Sequence, residues 1–570
     1  MFFCHAMETH RRELKANGDE AALAYFPSIT CFDRASGAGG VWRVERSFKS
    51  PPDADKKSDP KGQVKGSNMY EALWTNGPKE AIEFFDYTYD EHFGGRSLPV
   101  YMPRQAMLEY VIGRVTKHCP DFFGKYMKFN TSVESVRFVE DKKQFEIVIR
   151  DTLTGEPATQ YFDKCIWAAG MNGRPMIPAS TLAMLRQGGF AGRIVHSSDT
   201  AHFEEDVRGK RVLLIGGSYS GEDLALMAVK CGAEKVYVSS RTKNVISWTT
   251  AWPYNKVEVL EQQLPVRVTE NGRCIQFAAA EDVHPDDDEP KGEVQSELHD
   301  VDTVIFCTGY TPNTGMLSTE LQQFVSRNEH PSVSVPKDWR MSSNSFTEVL
   351  GDVEPADNVC VTGCMYPGLY CGCLSIQNPG MMYMAFETEN PLLVIDVTAW
   401  LLMRFVAGLK EIPSAEEMLK HEQDSALHVL NNPGYRCLMD KNYIEALEEH
   451  WEKIPERPES KHKWLDDVEM DYEESMEIRM LMRYALEAEY PVNFGSLEEL
   501  SDTAHAYMAF DRMTRDHRGQ LTEEDARNGK TFRDYSDGFD LVSIFTGSEA
   551  ISLKSRWLDM DAHDSTILEP

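Results

Sequence analysis

The chain has 570 residues, enough for two or three domains with sizeable cores. Its 42% hydrophobic and 26% charged content is that of an ordinary globular protein. Against 59 Lys and Arg stand 91 Asp and Glu, and the formal charge of −32 disfavours nucleic acid or an anionic membrane as partner.

In chain order, Cys4 to Ala16 has the spacing of a helix, and Ser28 to Phe32 reads as a strand ending at Asp33. The run Gly37-Ala-Gly39-Gly40-Val-Trp42 follows. A strand that ends in a carboxylate before a glycine pair is the second strand of a dinucleotide-binding unit, where the carboxylate takes ribose hydroxyls. The first strand and glycine turn of such a unit belong ahead of the helix. The sequence from Met1 does not contain them, so either its start is incomplete or the protein lacks its first phosphate cradle. Met1 to Ala6 has no extended apolar core and does not read as a secretory signal. Residues 47–66 are polar, carry Pro51-Pro52, and read as a surface loop.

The most informative stretch is Arg211 to Thr242. Val212 to Ile215 is a short apolar run, too short for a helix. Gly216-Gly217-Ser218-Tyr219-Ser220-Gly221 breaks it, and Glu222 to Cys231 then shows helical spacing with Leu224, Ala225, Ala228 and Val229 on one face. Gly232 stops the helix, and Lys235 to Ser239 is a second strand. Small residues in the turn let the backbone approach a pyrophosphate, and the helix N-terminus offers N–H groups and a positive dipole end. The second strand runs into Arg241-Thr242, where an acidic residue would bind a ribose 2′-OH and an Arg accommodates a 2′-phosphate. The unit is predicted to bind NADPH.

Pro391 to Leu409 is the most apolar window, yet it contains Asp396 and Arg404 and reads as a buried helix rather than a membrane span. The 12 Cys are scattered, several within apolar runs, as expected for reduced thiols in a cytoplasmic protein. Cys360, Cys364, Cys371 and Cys373 have spacings unlike those of zinc sites and no His nearby, and the acidic loop around Asp286 implies no ion, so no metal is expected. Pro413-Ser-Ala-Glu-Glu opens a further helix.

The sequence resembles the flavin-containing monooxygenases, and within them the trimethylamine monooxygenase branch. The resemblance rests on Gly39-Gly40-x-Trp42, Met69-Tyr70, Leu73-Trp74-x-Asn76-Gly77-Pro78-Lys79-Glu80 and Asp86-Tyr87-Thr88-x-Asp90-Glu91-His92-Phe93-Gly94. The turn from Gly216 to Asp223, Arg241-Thr242, Cys307-Thr-Gly-Tyr310 and Thr531-Phe-Arg-Asp534 belong to the same pattern. It implies an α/β chain with two Rossmann-like domains. An FAD domain (1–170, lacking its N-terminal strand and glycine loop, and 311–410) would hold an inserted NADPH domain (171–310), with a mostly helical C-terminal extension over 411–570. It also implies a chemistry: NADPH reduces FAD, O₂ adds to give a C4a-hydroperoxide, and a nucleophilic N or S atom of a small amine or sulfide takes one oxygen. Asp33, Gly39, Gly40, Trp42, Met69, Trp74, Asn76 and Val133 would then contact FAD. Gly216, Gly217, Ser218, Ser220, Gly221, Arg241 and Thr242 would hold NADPH, with Asn76 and Tyr219 as catalytic residues. A neutral amide at Asn76 donates and accepts without supplying an acidic proton that would release peroxide.

The chain departs from the pattern in two places. The linker pattern fits at Phe190, Gly192 and His196, but Thr200 stands where an aromatic belongs, with Phe203 three residues on. Glu387-Thr-Glu389 replaces the branch's Asp-Gln-Trp, which leaves the substrate open. An NADP-binding, flavin-poor relative that senses without turnover is the alternative favoured by the missing glycine turn. A flavin disulfide reductase fits poorly, because Cys360 and Cys364 lie far along the chain with the wrong spacing. Partners are limited to substrate and O₂, and a homodimer stays open as an assembly.

Overall fold

The computed structural model describes residues 1–43, 73, 75, 82–84, 86–94, 102, 104–170, 172–200, 202–241, 256–283, 292–322, 368–384 and 391–431. Helices α1 (Phe2–Ala16) and α2 (Glu20–Ala24) precede strand β1 (Cys31–Phe32). After α3 (Tyr89–Phe93), α4 (Arg104–Lys117) and α5 (Phe122–Tyr126), strand β2 (Met127–Lys128) pairs in parallel with β1. The expected strand from Ser28 is thus shorter: only Cys31 and Phe32 find ladder partners. β3 (Thr131–Val139), β4 (Gln144–Asp151) and β5 (Pro157–Phe162) form an antiparallel meander. β6 (Cys165–Trp167) and β7 (Arg174–Pro175) complete this part of the chain.

Next come α6 (Ala179–Gln187), β8 (Arg193–His196), α7 (Phe203–Val207), β9 (Arg211–Ile215), α8 (Tyr219–Lys230), β10 (Lys235–Ser239) and β11 (Val257–Leu260). An antiparallel sheet of β12 (Gln263–Thr269), β13 (Cys274–Ala279) and β14 (Val294–His299) follows, and then β15 (Thr303–Phe306). β8, β9, β10, β11 and β15 form one parallel sheet in the order β11-β10-β9-β15-β8. The central strands β9, β10 and β15 are largely apolar because both of their faces are covered. Val212, Leu214, Val236, Val238 and Ile305 pack with α8 on one face. Leu213, Ile215, Tyr237, Val304 and Phe306 pack on the other face with Leu185 of α6 and with Ile275 and Phe277 of β13. This is the two-residue alternation of a strand buried on both sides. The four α8 residues expected to share a face, Leu224, Ala225, Ala228 and Val229, are all buried on that first face.

β16 (Tyr310–Thr311) returns to pair with β7. β17 (Leu369–Tyr370), β18 (Leu374–Ser375) and β19 (Met381–Tyr383) join β6 in a mixed sheet. α9 (Pro391–Val406) packs against α1 through Val397, Trp400 and Leu401 on one side and Phe3, Cys4 and Met7 on the other. α10 (Ala415–Asn431) opens with a capping box: Ser414 Oγ accepts from Glu417 N–H, and Glu417 Oε2 accepts from Ser414 N–H. No helix among the described residues is long and apolar enough to cross a membrane.

The charge inside α9 is explained by its partner. Asp396 accepts two hydrogen bonds from Arg114 of α4, at 2.7 and 2.9 Å. Arg114 Nε also donates to Asp86 at 2.8 Å, and its guanidinium lies 4.1 Å from the centre of the Phe84 ring. His5 of α1 reaches the other oxygen of Asp86 at 3.2 Å. Partial desolvation works against charge on Asp86, yet the Arg114 guanidinium and the His5 contact hold its pKa well below the usual carboxylate range. Arg114→Met leaves Asp396 buried without its cation and is expected to cost about 3–5 kcal/mol in urea unfolding. Arg114→Met with Asp396→Leu removes both charges and should recover most of that loss. Equal destabilisation in the two variants would show that the pair is not the cause.

Candidate functional site

The carboxyl ends of β9 and β15 meet at the point where the sheet's strand order turns back, the usual position of a ligand in an open parallel sheet. Gly216 leaves β9 with φ +106°, a conformation open chiefly to glycine. A Cβ there would collide with the Cys307 carbonyl, and a Cβ on Gly221 would collide with the carbonyl of Gly216. The two glycines therefore bring β9, β15 and the start of α8 closer together than any side chain would permit. Ser218 is the N-cap of α8 and makes no side-chain cap bond; its carbonyl accepts from Gly221 and Glu222. The helix begins at Tyr219, three residues before the expected Glu222, because the Ser218 carbonyl already accepts the first intrahelical bonds. Tyr219 is 56% exposed.

The parallel register Ile215↔Ser239 sets Arg241 beside the turn that starts at Gly216. Gly216 N–H donates to the Ser239 carbonyl at 2.9 Å and fixes this alignment. Arg241 is exposed just beyond β10. Gly216, Gly217, Ser218, Tyr219, Ser220, Gly221 and Arg241 thus come together as read from the sequence. The close-approach glycines, the helix N-terminus and the exposed cation fit a dinucleotide carrying a 2′-phosphate. Thr242 lies outside the described residues.

The second cluster forms around β1. Asp33 follows the strand, donates its N–H to Lys128, and accepts the Ala35 N–H at its Oδ1 at 2.9 Å. Its Oδ2 has no hydrogen-bond partner among the described residues. The Thr131 N–H donates to the Asp33 carbonyl, which brings β3 alongside, and Val133 of that strand packs in the same cluster as Phe32. Gly39 at φ +126° packs so close to Leu108 of α4 that a Cβ would collide with it. Gly40 (φ +52°) and Trp42 form a single turn, and the Trp42 carbonyl accepts from Arg104 of α4. Asp33 and Val133 therefore lie by the end of β1, and Gly39, Gly40 and Trp42 form the turn that packs against α4. They fit the ribose and adenine side of FAD, with the open oxygen of Asp33 as acceptor.

Met69, Trp74 and Asn76 lie outside the described residues, but their surroundings are partly fixed. Thr75 N–H donates to the Met102 carbonyl and Thr75 Oγ1 accepts from Met102 N–H, both at 2.9 Å. Arg104 N–H donates to the Leu73 carbonyl at 2.9 Å. The N-terminal end of α4 thus holds the segment next to Asn76 and the turn at Trp42 together.

The two crossings between the parallel sheet and the rest of the chain are tied at Gly309. Its carbonyl accepts from Met176 N–H at 2.9 Å and lies 3.1 Å from His196 Nε2. Because a carbonyl only accepts, Nε2 carries the proton, and Nδ1 accepts the Ser198 N–H at 3.1 Å. Burial lowers the pKa of His196, which keeps the ring neutral. His196 is a bracket between β8 and the strand that leaves the sheet. Phe203 does not stand in for the aromatic missing at Thr200: it is buried with Val207 and Val212 in the core under α8.

Sequence reasoning did not foresee the Arg114 network or the antiparallel β12–β14 sheet. Beside that sheet Glu270, Cys274 and His299 bring donor atoms within 4.8 Å of one another, with His299 Nδ1 3.2 Å from Glu270 Oε2. Cys360, Cys364 and the stretch Glu387-Thr-Glu389 lie outside the described residues.

The profile of the flavin-binding monooxygenase-like family matches residues 26–274. Trimethylamine monooxygenase of Roseovarius sp. is 31% identical over 409 residues, 71% of this chain and 74% of that protein. The chain belongs to the flavin-containing monooxygenases. Trimethylamine monooxygenase of Pelagibacter ubique is 29% identical over 395 residues, 69% of this chain and 72% of its own length. The crystal structure of Tmm from a Pelagibacter strain superposes with a TM-score of 0.56 at 25% identity, over 85% of this chain and 88% of that one. S-allyl-L-cysteine S-oxygenase of Allium sativum shares the fold, with a TM-score of 0.53 and 17% identity over 84% of this chain and 92% of that one. The family's cofactors are FAD and NADPH, and the chain is a flavin monooxygenase on the trimethylamine monooxygenase side of the family.

The turn between β9 and α8 can be tested as a nucleotide cradle at its tightest point. Gly221→Ala forces a methyl group against the Gly216 carbonyl, a backbone group that cannot swing aside. The variant is expected to bind NADPH at least about tenfold more weakly, a loss of about 1.4 kcal/mol, in an equilibrium titration. Wild-type affinity would mean that the turn does not carry the phosphates.

Proposed function

We propose that the chain transfers one oxygen atom from O₂ to a nucleophilic nitrogen or sulfur of a small substrate, using NADPH and FAD. A small amine is favoured over a sulfide because the similar proteins bear the names trimethylamine and dimethylaniline monooxygenase. The observation that carries the proposal is the unit from β9 to Arg241, with its close-packed glycines and its cation at the end of β10.

FAD, when bound, supplies the electron transfer and oxygen chemistry. The chain's own residues do the rest. Gly216 and Gly221 allow the backbone to approach the pyrophosphate, the start of α8 presents N–H groups to it, and Arg241 binds the 2′-phosphate. Thr242 is assigned beside Arg241. Asp33 takes a ribose hydroxyl of FAD, and Gly39, Gly40, Trp42, Met69, Trp74 and Val133 enclose that cofactor. Asn76 offers a neutral amide that donates and accepts at the reacting centre without an acidic proton. Tyr219, exposed at the head of α8, contacts the bound cofactor or substrate. The domain limits read from the sequence serve this arrangement: FAD with 1–170 and 311–410, NADPH with 171–310, and 411–570 as a helical extension.

Arg241→Ala is expected to weaken NADPH by about 1.5–3 kcal/mol, through loss of charged hydrogen bonds, and to leave NADH almost unchanged. The wild type should convert a small tertiary amine to its N-oxide at the expense of NADPH and O₂. Equal losses for both nucleotides would remove Arg241 from the site, and NADPH oxidation without N-oxide or S-oxide would refute oxygen transfer.

A further inference from the structure

We propose that Cys4 and Cys31 form a disulfide-forming site that closes on exposure to hydrogen peroxide and links α1 to β1. Cys4 lies on the buried face of α1, and Cys31 is the first residue of β1. Their sulfurs are 3.3 Å apart, and the residues are separated by 27 positions in sequence. The sulfurs need to close by little more than 1 Å to reach a bond of about 2.05 Å.

The two thiols are unlike. Cys4 is fully buried, between Phe3 and Met7 on one side and the α9 residues on the other. Cys31 is only half-buried, so an oxidant as small as peroxide reaches it first. The contact with Cys4 pulls the Cys31 thiol down to about 7 against the upward push of burial, while Cys4 itself is raised well above its ordinary value by that same contact and by burial. Cys31, the less buried of the two, is the thiol that meets the oxidant, and Cys4 lies within reach to resolve it. Burial has the opposite effect on Cys165, pushing it up to about 12, and this thiol is inert by comparison.

The chemistry balances with peroxide as the only co-reactant. The Cys31 thiolate attacks one peroxide oxygen and the O–O bond breaks. The departing hydroxide takes up the proton that Cys31 had released and leaves as water, with Cys31 as a sulfenic acid. The Cys4 sulfur then attacks the Cys31 sulfur, the S–O bond breaks, and hydroxide leaves with the Cys4 proton as a second water. Two thiols lose two electrons and one peroxide gains them. The cross-link fixes β1 two residues before Asp33, whose N–H donates to Lys128 on the neighbouring strand.

The test uses the full reduced chain, treated with stoichiometric hydrogen peroxide, alkylated under denaturing conditions and digested without reductant. The expected result is a linked pair of peptides carrying Cys4 and Cys31, a loss of two alkylatable thiols out of 12, and restoration of both by dithiothreitol. In Cys4→Ser the sulfenic acid on Cys31 has no resolving thiol and should accumulate, where a sulfenic-specific diketone traps it. Cys31 that stays fully alkylatable, or that links to another cysteine, overturns the proposal. The readout involves neither flavin nor NADPH, so its failure is distinguishable from failure of the monooxygenase reading.

Discussion

A guanidinium taken out of water is the constraint on which much of the structure depends. Arg114 is buried on α4, and it is tolerated there because two carboxylates and an aromatic face surround it. Asp396 is equally buried and is matched by a two-pronged contact. Asp86 is 37% exposed, so the second negative charge keeps part of its hydration. The arrangement ties α4 to α9, 282 residues along the chain, and to α1 through His5. The order it imposes extends to the other end of α4, where Arg104 and Met102 hold the Trp42 turn and the segment beside Asn76. One helix therefore carries the structural ion pair and holds the Trp42 turn.

The nucleotide side works on a different principle. The parallel sheet is apolar on both faces, and close backbone approach supplies the specificity at its carboxyl edge. Gly216 and Gly221 are needed because carbonyls occupy the space a Cβ would take. Gly309 and His196 hold the strand that leaves the sheet by backbone and ring hydrogen bonds, with no charge involved.

Much of this was legible in the sequence where the signal is local. Lys235 to Ser239 appears as a strand with the limits read from its apolar run, since Gly232 ends the helix before it. α9 was recognisable as buried despite Asp396, although a partner 282 residues away leaves no trace in a periodic pattern. The strand expected from Ser28 shortened to two residues because a strand is defined by its neighbours and not by its own side chains. The antiparallel β12–β14 sheet escaped notice because its register shifts at Pro265 and at Phe277 blur the alternation. Arg241 and the Gly216 turn were assigned from spacing alone, and the parallel register of β9 and β10 sets them side by side. The contact between Cys4 and Cys31 depends on how α1 lies over β1, and neither residue's surroundings announce it.

Anaerobic mixing of the FAD-supplied chain with reduced nucleotide tests the central claim most directly. The account predicts a protein-bound flavin band at ~450 nm that is bleached by NADPH and far more slowly by NADH. A chain that retains no flavin band after FAD is supplied, or a bound flavin that NADPH leaves unbleached, would contradict it.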